Sequence, residues 1–582
     1  MKHFLKTVIG AIVGTIVALV LLIFIGIGII GSIASSSESE PVVPKKTILR
    51  IDLSTPVAEQ AKDNFSIDFM SGNADMSSSI SLLKAVKAIE AAAEDPAVSF
   101  IYMTTDGMTL SVQQMEELRE ALVHFRASGK PVISYSKTVS THDYYMASVA
   151  DKVIANTYAD CMFAGLSTTV MYFKDIIDRL GINVQLIRHG KYKSAGEPFI
   201  KNEMSAENRE QYEVMLGTMW NTLTEGIASS REFSAEDFKY WVDELKIGSI
   251  QDAKDMGIVD ELWFDDQVED YLCTLFEVKN AKDLKFTSLK DYATVMVKQN
   301  LRVKDKIAVI YADGDIVMGD NKDGQIGDNF AKTIAKVRQD STVKAVVFRV
   351  NSPGGSVQAS AIIEREIALL KQVKPVVASY GVYAASGGYW ISCGCNKIFS
   401  DRTTLTGSIG VFGLIPSFGA AIEKNLHIKT FEVSTSKHGA LADAMNPLDK
   451  EEVAWMQNNI ENVYSDFVGR VASGRNLDVA AVDAIAQGRV WAGGDALVLG
   501  LVDEIGSLNT AISYAASSVD LEKYRIVEYP AVKTMFERLS EQLSKTSEVS
   551  VTPLNSIEKA SQWLMGVSEP VVTAKMENII IY

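Results

Sequence analysis

The segment Ser379-Tyr-Gly-Val-Tyr-Ala-Ala-Ser-Gly-Gly-Tyr-Trp390 determines how the chain is organised. The apolar run Pro375-Val-Val-Ala378 leads into it and is typical of a buried strand. Ser386 then stands among small residues, with two glycines and an aromatic helix start behind it. A serine at a helix N-terminus lies beside backbone N–H groups that stabilise a developing oxyanion. The pattern therefore indicates a strand-to-helix turn in which Ser386 is either a nucleophile or a packing and capping residue.

The N-terminus has the composition of a membrane anchor. Lys2 and Lys6 precede an apolar run from Val8 to about Ala34, which is long enough to span a bilayer. Because positive charge precedes this run, we expect a single-pass protein of the inner (cytoplasmic) membrane with its domains on the exported, periplasmic side. A cleaved signal peptide is the alternative, since Ser32-Ile-Ala-Ser35 offers small residues at a cleavage site. The apolar run is longer than the usual core of a signal peptide, which favours the anchor.

The overall composition restricts the class of function. With 582 residues, of which 47% are hydrophobic and 22% charged, the chain is long enough for several domains with full cores. The net charge of −16 argues against nucleic acid as a partner. The four cysteines do not form a disulfide framework, and neither they nor the six histidines have the spacing of metal ligands. We therefore expect no metal and no organic cofactor.

An internal repeat divides the exported part of the chain. Ser111-Val-Gln113 recurs as Ser356-Val-Gln358 at an offset of 245 residues. Further along, Gly257-Ile-Val-Asp260 recurs as Gly500-Leu-Val-Asp503 at an offset of 243. A near-constant offset over so long a span indicates two similar domains in tandem.

Each copy alternates apolar strands with helical patterns, which predicts an α/β fold with a largely parallel core. In the second copy the pattern predicts a short strand at Ile409–Val411 and a long helix over 447–474. The predicted organisation has six parts: the cytoplasmic tip and transmembrane anchor (1–34), a linker (35–46), the N-terminal domain (47–290), a second linker (291–304), the C-terminal domain (305–530) and a tail (531–582).

The two copies differ at the positions that nucleophilic catalysis needs. Asn351-Ser-Pro-Gly-Gly-Ser356 follows a strand in the second copy, and its glycine pair presents bare backbone N–H groups. The first copy has Thr109 and Leu110 in place of that pair, and Thr141 in place of Ser386. A tight turn would explain Gly354-Gly355 alone, or Gly387-Gly388 alone. Their joint presence in one copy and joint absence from the other favours a catalytic site whose nucleophile lies in the second copy.

A nucleophilic serine needs a base. His427 and His438 are not part of a recognisable motif, whereas a lysine serves if burial keeps it neutral. Lys193, in a loop that contains Gly, Ser and Pro, is one candidate, and Lys437 stands at the equivalent position of the second copy at an offset of 244. Lysines in such loops are more often solvated charges, so the residues alone do not identify the general base.

Four segments together resemble the signal peptide peptidase A family, in its long, two-domain, membrane-anchored bacterial form (protease IV). They are Tyr192-Lys-Ser-Ala-Gly-Glu-Pro-Phe199, Asn351-Ser-Pro-Gly-Gly-Ser356, Tyr383-Ala-Ala-Ser-Gly-Gly-Tyr389 and Thr406-Gly-Ser-Ile-Gly-Val411. The resemblance extends over nearly the whole chain. It implies two domains with a fold like that of the Clp protease and crotonase families. It also implies a membrane-bound homotetramer whose substrates are remnant signal peptides after their release from exported proteins.

The resemblance further implies a Ser/Lys-dyad endopeptidase, with the dyad divided between the two domains. Its implied site residues are the nucleophile Ser386, the base Lys193, the ammonium partner Ser408, the oxyanion donors Gly355 and Gly387, and Gly354, which shapes the loop. Lys193 is preferred to Lys437 because Glu-Pro-Phe follows only Lys193. We expect Glu197 to face away from Lys193, because a nearby carboxylate would keep the lysine charged.

Two other functions remain open on the sequence alone. A crotonase-type acyl-thioester enzyme also uses paired backbone N–H groups, although its acyl-CoA substrates are cytosolic and these domains are expected to be exported. A non-catalytic membrane scaffold built from two such domains is the second alternative. The presence of Lys193, Ser386 and the glycine pair disfavours it.

Overall fold

The computed structural model describes residues 14, 41–61, 63–68, 73–321, 324–441, 443–532 and 572–576. The predicted cytoplasmic tip and anchor lie outside these residues, apart from Gly14. Among the described helices, none combines the length and the hydropathy needed to cross a membrane.

The first half of the chain builds a parallel sheet covered by helices. Its strands are β1 (Thr47–Asp52), β2 (Val57–Ala58), β3 (Asp63–Asp68), β4 (Asn73–Ser78), β5 (Ile80–Ser81), β6 (Val98–Thr104), β7 (Val132–Ser140), β8 (Lys152–Met162), β9 (Asn183–His189), β10 (Glu261–Leu262) and β11 (Phe286–Ser288). Its helices are α1 (Leu82–Glu94), α2 (Val112–Ala127), α3 (Thr141–Ala147), α4 (Lys174–Leu180), α5 (Glu197–Ile200), α6 (Ala206–Ala228), α7 (Ala235–Asp243), α8 (Ile250–Asp255), α9 (Asp265–Phe276) and α10 (Leu289–Met296). The main sheet has the order β10-β8-β7-β6-β1-β11 and all its strands are parallel.

The second half repeats this arrangement. Its strands are β12 (Lys306–Asp313), β13 (Asp315–Val317), β14 (Gln325–Gly327), β15 (Val343–Ser352), β16 (Gly354–Ser356), β17 (Val376–Ala385), β18 (Lys397–Ser400), β19 (Leu405–Gly407), β20 (Val411–Ser417), β21 (Val490–Ala492), β22 (Glu504–Ile505), β23 (Arg525–Tyr529) and β24 (Val572–Lys575). Its helices are α11 (Phe330–Gln339), α12 (Val357–Lys371), α13 (Gly387–Trp390), α14 (Gly419–Leu426), α15 (Lys450–Arg475), α16 (Val479–Ile485), α17 (Gly493–Val498) and α18 (Leu508–Ser517). The main sheet runs β21-β19-β17-β15-β12-β23, with β18 paired to β17 and β22 to β18.

The registers of the two sheets match at the offset found in the sequence. Thr138 of β7 pairs with Asp160 of β8, and Tyr383 of β17 pairs with Leu405 of β19. Both residues of the second pair lie 245 positions after those of the first. The predicted tandem α/β repeat is therefore confirmed.

A third sheet contains strands of both copies. Its order is β14-β13-β16-β24-β20-β9. Strand β9 belongs to the first copy and pairs antiparallel with β20 of the second copy, from Val411–His189 to Ser417–Asn183. The loop that follows His189 is thereby held against the second copy.

A buried ion-pair cluster also joins the copies. The Arg349 guanidinium, whose side chain is 1% exposed, lies 2.7 Å from Glu59 and 2.9 Å from Glu117 of the first copy. Arg349 also donates to Ser379 Oγ at 3.0 Å, so it links the first copy to the strand that leads to Ser386. Breaking a buried pair of this kind costs about 3–5 kcal/mol, because the remaining charges stay buried without a partner.

Two predicted elements differ in their bounds. Of the strand predicted at Ile409–Val411, only Val411 lies in a strand, because β19 ends at Gly407 and β20 begins at Val411. Gly407 and Ser408 have φ values of +72° and +48°, which turn the chain out of the extended conformation between them. The helix predicted over 447–474 is α15, Lys450–Arg475.

Candidate active site

Ser386 lies at a strained turn between β17 and α13. Its φ of 54° and ψ of −115° are in a region that side-chain-bearing residues rarely occupy, and its side chain is fully buried. Two backbone hydrogen bonds hold the turn: Ser386 N donates to Gly407 O, and Trp390 N donates to Ser386 O, each at 2.8 Å. Non-glycine residues held in such conformations occur preferentially at functional sites, where the surrounding structure supports the strain.

Lys193 reaches Ser386 from the other copy. Its Nζ atom lies 2.8 Å from Ser386 Oγ, 3.0 Å from Ser408 Oγ and 3.1 Å from Ser408 O. The Lys193 side chain is only 2% exposed. The structure thus brings together three of the residues predicted for the site.

The loop after β9 positions Lys193 through close backbone packing. Tyr192 N donates to Gln487 O at 3.0 Å, which joins this loop to the segment before β21. Gly488, with a φ of +78°, leaves room for Lys193, because a Cβ at Gly488 would lie 2.6 Å from Lys193 Cβ. Gln211 of α6 joins the same two segments, donating to Ser194 Oγ at 3.0 Å and accepting from Val490 N at 3.1 Å.

The predicted glycine loop lies at the end of β15. Gly354 has a φ of +101°, and its N–H group donates to Ser352 Oγ at 3.2 Å. A Cβ at Gly355 would lie 1.9 Å from Ile316 O, so no other residue fits there. Gly387 is the buried first residue of α13. These positions agree with a site at which backbone groups approach a substrate closely, and their role as oxyanion donors stays a prediction.

The Glu197 carboxylate forms hydrogen bonds with Arg188, Lys201 and Ser205. Its Oε1 atom accepts from Arg188 at 3.2 Å and from Lys201 at 3.5 Å, and its Oε2 atom accepts from Ser205 Oγ at 2.9 Å. Arg188 also donates to the backbone oxygen of Lys193. Fully buried Glu197 therefore pins its own loop and, through Arg188, the backbone of Lys193.

The equivalent positions of the repeat have different surroundings. Thr141 is the first residue of α3, and its hydroxyl donates to Ala164 O at 2.7 Å and accepts from Ala164 N at 2.9 Å. Lys437 is 64% exposed and forms an ion pair with Glu451 at 2.6 Å. The structure therefore places Lys193, and not Lys437, next to Ser386.

One group of described side chains has atoms close enough to hold a metal ion: His438, Asp449 and Glu452. Its geometry is explained by the start of α15, where Asp449 caps the helix and Glu452 completes a capping box. We therefore assign no metal or cofactor to it.

The C-terminal strand β24 fills the space between β16 and β20. It pairs antiparallel with both, at Gly355–Ala574 and at Phe412–Thr573. Met576 N donates to Pro353 O at 2.8 Å. The Met576 side chain is 2% exposed and lines a small cavity together with Lys193 and Ser408.

Sequence reasoning missed several residues that support the site. Gln211, Gly488 and Arg188 each fix the Lys193 loop, yet none belongs to a motif. Gly488 lies two residues before β21, but its partner in space, Lys193, lies almost 300 residues away in sequence.

Comparison with known proteins gives matches over most of the chain. Peptidase family S49 matches residues 124–279 and 368–522, and the Clp protease family matches residues 298–408. Protease 4 of Haemophilus influenzae is 34% identical over 86% of this chain and 83% of its own length. Protease 4 of Salmonella typhi is 33% identical over 90% of this chain and 86% of its own length. A putative signal peptide peptidase of Enterococcus faecium is 39% identical over 36% of this chain and 60% of its own length.

Proposed function

The chain belongs to peptidase family S49 and is a serine protease, and we propose that Ser386 is its nucleophile and Lys193 its general base. The observation that carries the proposal is the 2.8 Å distance between Lys193 Nζ and Ser386 Oγ in a buried site. A base must lie within hydrogen-bonding reach of the proton that it removes, and this distance meets that requirement.

The proposed reaction follows from these contacts. Neutral Lys193 accepts the Ser386 proton while Oγ attacks a peptide carbonyl, and Ser408 keeps the amine aimed at Oγ. The N–H groups of Gly355 and Gly387 stabilise the oxyanion. The Lys193 ammonium then protonates the leaving amine, and water hydrolyses the acyl-enzyme.

We infer that the substrates are extended apolar peptides, of which released signal peptides are the natural class. The space between β16 and β20 accepts one antiparallel strand, which is how a sheet edge binds a peptide through its main chain. The buried position of Met576 beside Lys193 supports an apolar residue next to the scissile bond. The name of the Enterococcus faecium relative supports signal peptides.

A substrate panel tests this proposal. The purified chain should hydrolyse casein and synthetic signal peptides, and it should cleave a peptide of equal length much more slowly when the apolar core is replaced by Ser and Gln. A fluorophosphonate should label Ser386, because a crotonase-type enzyme needs no nucleophilic serine. Absence of both labelling and hydrolysis would refute the proposal and revive the crotonase-type and scaffold alternatives, which family membership does not favour.

We also propose that the predicted domains, 47–290 and 305–530, are exported and held at the membrane by the segment from Val8 to about Ala34. The basic residues before this segment support the orientation. In spheroplasts, externally added protease should degrade both domains. Their protection from that protease would contradict the orientation.

The repeat suggests how copies of the chain assemble. Within one chain, β9 of the first copy pairs with β20 of the second. At the offset of 245, the equivalents of these strands are residues 428–434 and 166–172, and neither segment forms a strand in the structure. Residues 428–434 are all exposed, with Phe431 at 86% and Val433 at 97%.

We propose that residues 428–434 of one subunit pair with residues 166–172 of the next, in a closed head-to-tail ring. The resemblance implies four subunits in that ring.

A cysteine pair tests the ring. Leu414 pairs with Leu186 in the chain, and the equivalent contact between subunits joins Thr169 and Phe431. Thr169→Cys combined with Phe431→Cys should form disulfide-linked oligomers on oxidation, while each single variant should not. A monomeric mass by light scattering, with no intersubunit disulfide, would contradict the ring.

A further inference from the structure

The backbone of Arg489 holds Ser408, the residue whose hydroxyl lies 3.0 Å from Lys193 Nζ. Arg489 stands directly before β21, and its backbone oxygen accepts from the N–H group of Ser408 at 2.7 Å. Ser408 has a φ of +48°, a left-handed conformation that a residue with a side chain keeps only when its surroundings hold it. The Arg489 backbone is therefore part of what fixes the partner of the Lys193 amine.

The side chain of Arg489 holds the residue that precedes Lys193. Its Nη1 atom donates to the Tyr192 hydroxyl at 3.2 Å. The guanidinium carbon lies 4.7 Å from the centroid of the Tyr192 ring and 4.3 Å from that of the Trp491 ring. A guanidinium over the face of an aromatic ring is attracted by the ring quadrupole, so Arg489 joins one ring from each copy.

Glu210 of α6 completes this contact. Its Oε1 atom lies 3.0 Å from Arg489 Nη1, and its Oε2 atom accepts from the Tyr192 hydroxyl at 3.0 Å. The Arg489 side chain is only 16% exposed, and a carboxylate compensates its charge, as a largely buried cation requires. Arg489, Tyr192 and Glu210 thus form one closed set of contacts next to Lys193.

The equivalent positions of the repeat have lost all three of the side chains that stack. At the offsets of 244 and 243, the corresponding pairs are Tyr192 and Ser436, Arg489 and Lys246, and Trp491 and Gly248. Lys246 is exposed. The guanidinium and the two rings therefore occur together beside Ser386, and are replaced in the half of the repeat that has Thr141 in place of the nucleophile.

We propose that Arg489 is a positioning residue of the peptidase reaction. Through Tyr192 and Ser408 it keeps the Lys193 amine aligned with the nucleophile. The inference rests on the proposed function of Lys193 and Ser386. A displacement of about 1 Å at a catalytic group can cost about 100-fold in rate, so the loss of such a contact should be visible in kcat.

Steady-state kinetics of Arg489→Met test the proposal. Methionine is also long and unbranched but has no guanidinium, so the bond to Tyr192 and the contact with both rings are lost. We expect kcat to fall about 10- to 100-fold, while KM for a synthetic signal peptide stays within about twofold. Arg338→Met is the matched control, because Arg338 is also partly buried and pairs with Glu366 at 3.2 Å. The control should keep the wild-type kcat.

Two results would overturn the positioning role. One is a wild-type kcat in Arg489→Met, and the other is a loss of activity that appears only in KM. Arg489→Lys covers the case in which Arg489→Met does not fold, because it keeps a positive charge beside Glu210. An ammonium lacks the planar group that lies over the two rings, so its kcat should still fall several-fold. Full activity of Arg489→Lys would contradict the role of the guanidinium.

A double-mutant cycle tests whether Arg489 acts through Tyr192. Tyr192→Leu should lower kcat by a factor similar to that of Arg489→Met. The double variant should lose little more than either single variant, because both substitutions remove the same contact. Losses that multiply in the double variant would show that the two residues act independently and would contradict the proposal.

Lys193→Ala separates this inference from the proposed function. An inactive Lys193→Ala variant together with a wild-type kcat in Arg489→Met would overturn the positioning role and leave the proposed function standing. A Lys193→Ala variant that retains its turnover would refute the proposed function, and with it the role of Arg489.

Discussion

Ser386 and Thr141 occupy equivalent positions of the repeat, but their hydroxyl groups have different partners. The Ser386 hydroxyl lies 2.8 Å from Lys193 Nζ, whereas the Thr141 hydroxyl bonds both backbone groups of Ala164. Ser386 also has a strained backbone, while Thr141 begins a regular helix. At equivalent positions, the hydroxyl of Ser386 therefore lies next to a base, whereas that of Thr141 stabilises the local backbone.

The first prediction follows from this difference. Ser386→Ala should lower kcat by about 10⁴-fold or more, because it removes the nucleophile. Thr141→Ala should leave kcat within about twofold while lowering the free energy of unfolding by about 0.5–1.5 kcal/mol, since the hydrogen bonds to the exposed residue Ala164 are replaced by water. Peptide hydrolysis and denaturant unfolding of both variants measure this. Equal inactivation by the two substitutions would show that the first copy takes part in catalysis.

The second prediction concerns the base. Lys193→Ala and Lys193→Arg should both be inactive, because a guanidinium stays protonated at any usable pH. Lys437→Ala should keep most of the activity, since Lys437 is exposed and paired with Glu451. The wild-type rate should rise with pH through one ionisation below that of free lysine, because burial disfavours the ammonium form. A dead Lys437→Ala variant with an active Lys193→Ala variant would reverse the assignment.

Much of the fold could be predicted because the same pattern of strands and helices occurs in both copies. Apolar strand runs and the constant offset indicated two α/β copies, and the register of β7 with β8 and of β17 with β19 agrees with that offset. The position of Lys193 next to Ser386 came from the family resemblance. Its structural cause is the pairing of β9 with β20, which joins residues more than 200 positions apart and leaves no local pattern.

The position of β24 could not be predicted for a related reason. Val572-Thr-Ala-Lys575 is a short segment without strong alternation, and its strand conformation depends on the gap between β16 and β20. The support of Lys193 by Gly488 depends on contacts between distant segments in the same way. Local periodicity reports which face of an element is buried, and not which distant backbone lies against it.

The third prediction tests the packing behind Lys193. Gly488→Ala would place a Cβ atom 2.6 Å from Lys193 Cβ, so Lys193 must move. A displacement of about 1 Å at a catalytic group can cost about 100-fold in rate. Gly500→Ala is the matched control, because Gly500 has a similar φ of +74° but only ordinary contacts with Leu477 at 3.7 Å. Gly500→Ala should lower the free energy of unfolding by about 1–2 kcal/mol because of its positive φ. Gly488→Ala should lose that amount and about 1–3 kcal/mol more, because the new Cβ overpacks against Lys193. Only Gly488→Ala should lose activity, and equal activity of the two would contradict this role.

The last prediction concerns the pH dependence of stability at the contact between the copies. Burial raises the pKa of the Glu116 carboxyl from 4.5 to about 7, although the Thr403 hydroxyl and the N–H groups of Arg402 and Thr403 favour its charged form. Between pH 4.5 and about 7 the folded chain therefore keeps a proton that the unfolded chain has released. The free energy of unfolding must then fall as pH rises through this range.

Urea unfolding at several pH values measures the effect. Glu116→Gln cannot titrate, so its stability should decline less than that of the wild type between pH 4.5 and 7. Part of the decline should remain in the variant. Burial and the neighbouring Glu117 and Glu116 carboxyls raise the pKa of Asp401 well above its usual range. Asp401 therefore also lowers the free energy of unfolding as pH rises. Glu277→Gln is the control, because its carboxylate is exposed and pairs with Lys46 at the surface. Identical pH profiles for the wild type and Glu116→Gln would show that Glu116 is already ionised in the folded chain throughout this range.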